Sequence, residues 1–399
     1  MIEPFHSALP IISSLEKAGF SAFFVGGSVR DYILGRPIHD VDVATSATPD
    51  EMKLIFPRTI DIGIEHGTLL ILHKEFAYEV TTFRAEKEYV DFRRPKQVTF
   101  IRSLKDDLQR RDFTINAIAM DKHGVLIDPF NGQEAIKKRE IKTVGKAEER
   151  FSEDALRMMR ALRFESQLSF SLEKGTLEAL SKLGFLLEKI AVERKKTEFE
   201  KLLLGANRTL AFKHMLDSNL YQYLPGLKDK KEQLYKFLKY DSIQLNLNEW
   251  WSLFIFCLGL KNKEVELFLR EWKLPLQQIR EIIKISQFLL KRLQQVWNNY
   301  DLYMAKEMVI SSVEKLCLTI KGKKDLSSIT TFLNLYQSLP IKSRSEMAVT
   351  GQDLMDWFHK TGGPWLNETI LNVERAILED HVKNEKITIK EWLKECNQI

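Results

Sequence analysis

The chain has 399 residues, 44% of them hydrophobic and 29% charged, with 18 glycines and 11 prolines; this composition supports folded cores in two or more domains and excludes long disordered tracts. A net charge of +5 permits a polyanionic partner without requiring one. Cys257, Cys317 and Cys396 are too scattered for a metal site or a disulfide framework, which points to a reducing, cytoplasmic setting.

The opening residues, M-I-E-P-F-H-S, lack the basic and apolar regions of a signal peptide. The greasiest run, residues 250–260, is too short to span a bilayer, so no membrane association is expected. Residues 5–19 are predicted to form an amphipathic helix that stops at Gly19, and Ala22, Phe23, Phe24 and Val25 a short strand. Gly26-Gly27-Ser28-Val29-Arg30-Asp31 follows. Its two glycines allow backbone to approach a ligand, Ser28 and Asp31 have the spacing of a capping box, and a helix N-terminus offers amides to phosphate.

His39-Asp40-Val41-Asp42-Val43-Ala44 reads as a strand in which Asp40 and Asp42 point to one side. Carboxylates held that close repel unless a cation lies between them, and a hard divalent ion, Mg²⁺ above all, suits oxygen ligands. Solvated carboxylates at a strand end are the bland alternative. Residues 67–73 and 76–83 are predicted to be two hairpin strands, with Glu79 a candidate third carboxylate. Residues 84–104 mix cations, acids and aromatics with poor periodicity and are read as a mobile binding loop. Arg110-Arg111-Asp112 stands ahead of a helical-looking run, suited to triphosphate and ribose, and Asp128-Pro129-Phe130-Asn131-Gly132 is a turn.

Beyond Gly145 strand signals nearly vanish and amphipathic helices dominate, which sets a boundary there. Residues 153–164, E-D-A-L-R-M-M-R-A-L-R-F, are predicted to be one helix. At about 100° per residue, Asp154, Arg157, Arg160 and Arg163 fan over one half of it and apolar residues fill the other. Charges on a mostly buried helix need partners. Cytosine and adenine both present an amine donor beside a ring-nitrogen acceptor; Asp154 only accepts and Arg157 only donates, so together they fit C and A and misfit U and G. An intrahelical Asp154–Arg157 salt bridge explains the same pair. Residues 191–203 form a bracing helix, further helices fill 206–340, and Thr361-Gly362-Gly363-Pro364-Trp365 breaks the last section, with Pro364 starting a helix.

F-V-G-G-S-V-R-D, D-V-D, R-R-D-F-T-I-N-A, D-P-F-N-G, E-D-A-L-R-M-M-R-A-L-R-F and E-R-K-K-T-E-F-E-K-L-L occur in the order found in class II tRNA nucleotidyltransferases. Over residues 24–204 the chain closely resembles the bacterial CCA-adding enzymes of that class. The resemblance implies an α+β, polymerase-β-like head with a small mixed sheet over 1–145. An all-α remainder would comprise a neck over 146–205, a body over 206–305 and a tRNA-binding tail over 306–399. It further implies addition of C, C and A to tRNA from CTP and ATP, and a homodimer. By position, Asp40 and Asp42 bind Mg²⁺ and carry catalysis, Gly27 and Arg30 contact the nucleotide, Arg111 its phosphates, Asp154 and Arg157 the base, and Arg160 and Arg163 complete that pocket. Lys195 departs from the pattern, which has an apolar residue there.

A poly(A) polymerase or an A-only tRNA nucleotidyltransferase shares these motifs. Against the poly(A) polymerase, the moderate length, the lack of a long basic extension and the intact 84–104 segment favour CCA addition; enzymes that add only CC would lack that segment, whereas A-only enzymes keep it, so that alternative stays open. Asp40 and Asp42 argue against an inactive tRNA-binding protein, and the long helical part argues against a small-molecule substrate.

Overall fold

The computed structural model describes residues 3–90, 94–240 and 245–396. They form two compact units, Met1–Lys231 with Glu271–Lys273, and Glu232–Arg270 with Leu274–Ile399.

The first unit opens with α1 (Phe5–Lys17), β1 (Ala22–Val25), α2 (Gly27–Ile33), β2 (Asp42–Thr45) and α3 (Pro49–Ile55). Next come β3 (Thr59–Gly63), β4 (Thr68–His73) and β5 (Phe76–Thr82). These strands join β8 (Ala119–Met120) and β9 (Leu126–Ile127) in a seven-stranded sheet ordered β3-β4-β5-β2-β1-β8-β9. β2 and β5 run parallel and the other neighbours antiparallel, so the sheet is mixed.

Alternation along β1 builds a layer on each face. Phe24 turns towards α1, where its ring lies 4.8 Å from that of Phe5. Phe23 and Val25 turn the other way, onto a core containing Ala44, Phe83, Leu108, Ala117, Ala119 and Val144. The strand that leads into the glycine turn is thus fixed from both sides.

Residues 84–104 differ from expectation. Instead of a structureless loop they form β6 (Arg84–Val90) and β7 (Arg94–Phe100), paired antiparallel, followed by α4 (Leu104–Gln109). Residues 91–93, including Arg93, lie outside the described residues. Strand formers such as Tyr89, Val90, Val98, Thr99 and Phe100 favour pairing; the interspersed charges had blurred the alternation. The helical-looking run after Asp112 is only a 3₁₀ turn, Thr114–Asn116, before β8 begins.

The turn at Asp128 starts α5 (Gly132–Lys138): the Asp128 carboxylate accepts the Gly132 amide at 2.7 Å and the Gln133 amide at 2.8 Å. A β-carbon on Gly132 would lie 2.3 Å from the Thr114 carbonyl oxygen, so only glycine lets α5 press against that 3₁₀ turn. β10 (Glu140–Ile141) then pairs in parallel with β11 (Ser171–Leu172) across α6 (Ala147–Glu153) and α7 (Leu156–Leu168).

α7 is braced by α9 (Val192–Leu203) and α10 (Arg208–Asp217), after α8 (Lys174–Leu183). Ser166 donates to the Leu202 carbonyl at 2.6 Å, and the fully buried Glu165 lies 2.9 Å from His214 Nδ1. Lys195 is buried and donates to the carbonyls of Leu187 at 3.1 Å and Tyr223 at 3.2 Å. The unexpected lysine therefore ties two 3₁₀ segments, Gly184–Lys189 and Leu220–Tyr223, to α9.

Among the described residues the regular elements of the second unit are all helices. α11 (Lys231–Phe237) leads into it, followed by α12 (Leu247–Leu258), α13 (Lys263–Glu271), α14 (Leu276–Gln294) and α15 (Asn299–Ile320). α16 (Ser327–Gln337), α17 (Gly351–Phe358), α18 (Pro364–Leu378) and α19 (Lys386–Glu395) complete it. Capping boxes at Asn246/Glu249 and Thr350/Asp353 start α12 and α17, and Pro364 starts α18 as expected. Among the described residues no helix is long and apolar enough to cross a membrane.

Candidate active site

Two clefts of the first unit meet at Gly27 and Asp42. β1 delivers the chain to Gly26, which adopts φ +75° and caps α2. A β-carbon there would lie 3.3 Å from both Asp42 Oδ2 and Arg111 Nη1, so glycine allows an acid and a guanidinium to converge on this turn. The expected capping box does not form. Ser28 Oγ donates to the Val25 carbonyl at 3.0 Å, and Asp31 accepts from Arg30 Nε at 3.0 Å and Nη2 at 2.9 Å. The glycine makes the turn unaided, which leaves both side chains for other partners.

β2 begins at Asp42, and Asp40 lies in the segment before it. In the ladders Asp42 stands opposite Val25 on one side and Glu79 on the other. Paired residues share a face, so Glu79 flanks Asp42. Asp42 stays open to solvent at the first residue of this central strand. Partial burial of its carboxyl, then the Glu79 charge, and more weakly the Asp40 charge push its pKa above the ordinary carboxylate value, against the pull of Arg111. Asp40, Asp42 and Glu79 line the larger cleft, of about 950 Å³. Among the described residues no three His, Cys, Asp or Glu side chains are gathered tightly enough to hold a metal unaided. That donor set fits a hard cation which keeps water and substrate phosphates among its ligands, as Mg²⁺ does.

The second cleft, of about 560 Å³, is lined by eight arginines and only three acids, Asp42, Asp112 and Asp154. Arg110 and Arg111 both pair with the buried Asp107, at 2.8 Å and 3.2 Å. Burial opposes the charge on Asp107, yet the two guanidiniums hold its carboxyl below the usual range. Arg30 donates to Asn116 Oδ1 at 2.7 Å. Arg160 reaches Asp112, and Arg163 Nε lies 2.9 Å from Glu198 of α9 as an ion pair too bent for a hydrogen bond. The Arg30, Arg160 and Arg163 guanidiniums surround the Phe164 ring at 5.3, 5.6 and 4.1 Å from its centre.

The stretch at 153–164 is not one helix. α6 ends at Glu153, Asp154 is extended (φ −135°, ψ 103°), and α7 begins at Leu156. Asp154 and Arg157 therefore make no intrahelical bridge. Asp154 Oδ1 accepts the Leu156 amide at 3.0 Å and Oδ2 accepts from Arg194 Nη2 at 3.2 Å. Arg157 donates to Glu153 at 2.7 Å and to the carbonyls of Arg150 at 3.1 Å and Arg110 at 2.9 Å. Acceptance of the first-turn amide by an aspartate at a helix start explains the break. Both side chains still line the arginine cleft.

The structure thus brings Gly27, Arg30, Asp42, Arg111, Asp154, Arg157, Arg160 and Arg163 into one cleft, with Asp40 in its neighbour. Sequence reasoning missed Arg84, Asp107, Arg194 and Glu198. Arg194 and Glu198 are spaced i,i+4 on α9, a signal for a shared face; Arg84 carries no local signal.

Residues 22–142 match the poly(A) polymerase head domain, and residues 245–393 match tRNA nucleotidyltransferase domain 2. A CCA-adding enzyme of Bacillus cereus (strain AH820) is 47% identical over 400 residues, all of both chains. The chain belongs to the CCA-adding enzyme family. Its members are tRNA nucleotidyltransferases, and this chain is one. The crystal structure of the Bacillus stearothermophilus CCA-adding enzyme in complex with CTP is 44% identical, with a TM-score of 0.92, over 100% of this chain and 98% of that one. A Thermotoga maritima CCA-adding enzyme complexed with tRNA, at 20% identity and a TM-score of 0.64 over 99% and 96% of the two chains, shares the fold.

Proposed function

We propose that this enzyme adds C, C and A in turn to the 3′ end of tRNA, taking CTP and ATP as substrates and releasing pyrophosphate without a nucleic-acid template. The observation that carries this reading is the meeting of an arginine-lined cleft with a carboxylate-lined one at Asp42. A triphosphate suits the first cleft: Arg30, Arg110 and Arg111 present guanidiniums already held in place by Asn116, Asp31 and Asp107. Asp154 and Arg157 accept from and donate to the base edge, exchanging Arg194 and backbone carbonyls for the nucleotide. That pairing admits C and A and leaves U and G mispaired. Arg160 and Arg163 keep the pocket cationic and hold its shape.

Asp40 and Asp42 would hold Mg²⁺, and the raised pKa of Asp42, which comes from partial burial first and then from the neighbouring Glu79 and Asp40 charges, marks a carboxylate that a cation would stabilise in its charged form. Bound there, the metal supplies activation of the terminal hydroxyl and neutralisation of charge on the phosphates. The protein's own contribution is positioning and fixed charge, which carry most phosphoryl-transfer chemistry. The helical parts at 206–305 and 306–399 would dock the tRNA. Burial pushes the Cys257 thiol up to about 12 and the Cys317 thiol to about 11, so neither is a reactive thiolate.

The test is incubation with tRNA lacking its last three nucleotides and with single nucleoside triphosphates. CTP alone should add two residues, ATP alone none, and the two together three. Incorporation of A alone, or long A tails, would overturn the reading in favour of an A-only enzyme or a poly(A) polymerase.

A further inference from the structure

Arg84 lines the arginine cleft, yet the function proposed above gives it no task. It opens β6, and its place is fixed from two sides. On one, its backbone amide donates to Asp107 Oδ1 at 3.3 Å, the oxygen that also accepts from Arg110 Nε at 2.9 Å. Asp107 Oδ2 accepts from Arg111 Nη2 at 3.2 Å. Asp107 is 1% exposed, so one buried carboxylate ties the chain at Arg84 to both Arg110 and Arg111.

On the other side, Arg84 Nη1 donates to the His66 carbonyl at 2.5 Å, where the 3₁₀ turn Ile64–His66 ends at Gly67. Arg84 stands opposite Phe100 in the β6–β7 ladder. Gly67 has φ +81°, and a β-carbon there would lie 2.8 Å from a Phe100 ring carbon, so this turn presses against the same strand pair. The first residues of the pair are thus clamped through the backbone while the Arg84 side chain enters the cleft.

A guanidinium in this cleft can meet a base edge or a phosphate. Asp154 and Arg157, which would read the base, take their headings from Arg194 and Glu153, whereas Arg84 shares its anchor with Arg110 and Arg111. Arg111 Nη1 lies 3.3 Å from where a Gly26 β-carbon would stand, so Gly26, Arg111, Asp107 and Arg84 form one connected wall leading away from Asp42. A triphosphate whose α-phosphate faces Asp42 runs its outer phosphates along that wall. Guanidiniums bind phosphate oxygens through paired hydrogen bonds, and a fixed cation counts most where charge grows as the bond breaks.

We propose that Arg84 is a further guanidinium of the triphosphate site, binding the terminal phosphates of the incoming nucleotide and the departing pyrophosphate. Asp107 is then the positioning residue that sets it beside Arg110 and Arg111. The proposal rests on the function given above and adds to it a contact from β6.

Steady-state CMP incorporation with pyrophosphate as inhibitor tests this, using wild-type enzyme, Arg84→Ala and Arg84→Lys. The backbone link to Asp107 survives either substitution, so both variants should melt with the wild type. Arg84→Ala should raise the KM for CTP and the inhibition constant of pyrophosphate together, each about tenfold. Arg84→Lys keeps the charge but loses the fork, and should raise both about threefold. The KM for tRNA and the preference for CTP over UTP should stay within about twofold of wild type. An unchanged pyrophosphate constant in Arg84→Ala overturns the assignment, and so does a narrowed preference for CTP over UTP, which would place Arg84 on the base. Failure of the wild type to incorporate CMP would instead overturn the proposed function.

Discussion

Arg160 grips Asp112 with two nitrogens, Nε at 2.7 Å and Nη2 at 2.6 Å from the same carboxylate oxygen, and so ties α7 to the turn that follows α4. The other oxygen of Asp112 accepts the Phe113 amide at 2.8 Å and Asn116 Nδ2 at 3.2 Å. Burial alone would raise the Asp112 carboxyl; the Arg160 charge and these hydrogen bonds outweigh it and hold the pKa at about 2, below the ordinary 3.8. A depressed carboxylate stabilises the fold above its unfolded pKa and loses that contribution as pH falls through the folded one. Asp112→Asn should lower stability by about 2 kcal/mol at pH 7. The gap from wild type should stay constant down to about pH 4 and shrink below it, as measured by urea denaturation at several pH values.

Asp42→Ala should abolish nucleotide incorporation and leave tRNA binding nearly unchanged, read by gel assay and filter binding respectively. The fold should survive, because Asp42 is open to solvent and the substitution relieves its repulsion from Glu79. Retained incorporation would remove Asp42 from the catalytic role.

Arg157→Ala should lower kcat/KM for both CTP and ATP and narrow their advantage over UTP and GTP by about 10–100-fold. Because Arg157 also binds Glu153 and two backbone carbonyls, stability should fall by about 1–3 kcal/mol. Single-nucleotide incorporation at matched fractions of folded protein isolates the selectivity. If the preference for CTP and ATP persists undiminished, the shared reading of both bases by this residue is wrong.

Glu165 supplies a second pH handle. Its hydrogen bond raises the pKa of His214 above the ordinary 6.5, and burial only partly opposes it. A raised imidazole pKa adds stability that is complete below the unfolded value and disappears as pH climbs through the folded one. His214→Gln should therefore cost about 1–2 kcal/mol at pH 5.5 and progressively less as the medium becomes alkaline. Thermal melts of both proteins from pH 5.5 to 9 check this; a constant difference would mean that the pair acts by packing alone.

Much of the candidate site could be read in the sequence because its signals are local. The glycine turn, the Asp40–Asp42 spacing and the Arg110–Arg111 pair each sit within a few residues, and the alternation of β4 and β5 foretold the strand that carries Glu79. What escaped was tertiary. Arg194 of α9 meets Asp154 in the break between α6 and α7, Glu198 of α9 meets Arg163 of α7, and Arg84 enters the cleft from β6. The 84–104 hairpin was obscured because dense charge hid its strand formers. The break at Asp154 was missed because the residues on either side all suit a helix, and only the carboxylate capping the Leu156 amide reveals where the second helix starts.

That break has a practical meaning for redesign. In an unbroken helix the acid and the cation would move as one body, locked by the helical repeat. Here Asp154 takes its heading from Arg194 on α9, while Arg157 takes its own from Glu153 and the Arg110 carbonyl. On the proposed reading of the base, the acceptor half and the donor half are therefore not bound to one helical repeat: Asp154 answers to Arg194 of α9 as well as to the Leu156 amide, so a change of letter can be sought from α9 while the Arg157 contacts are kept.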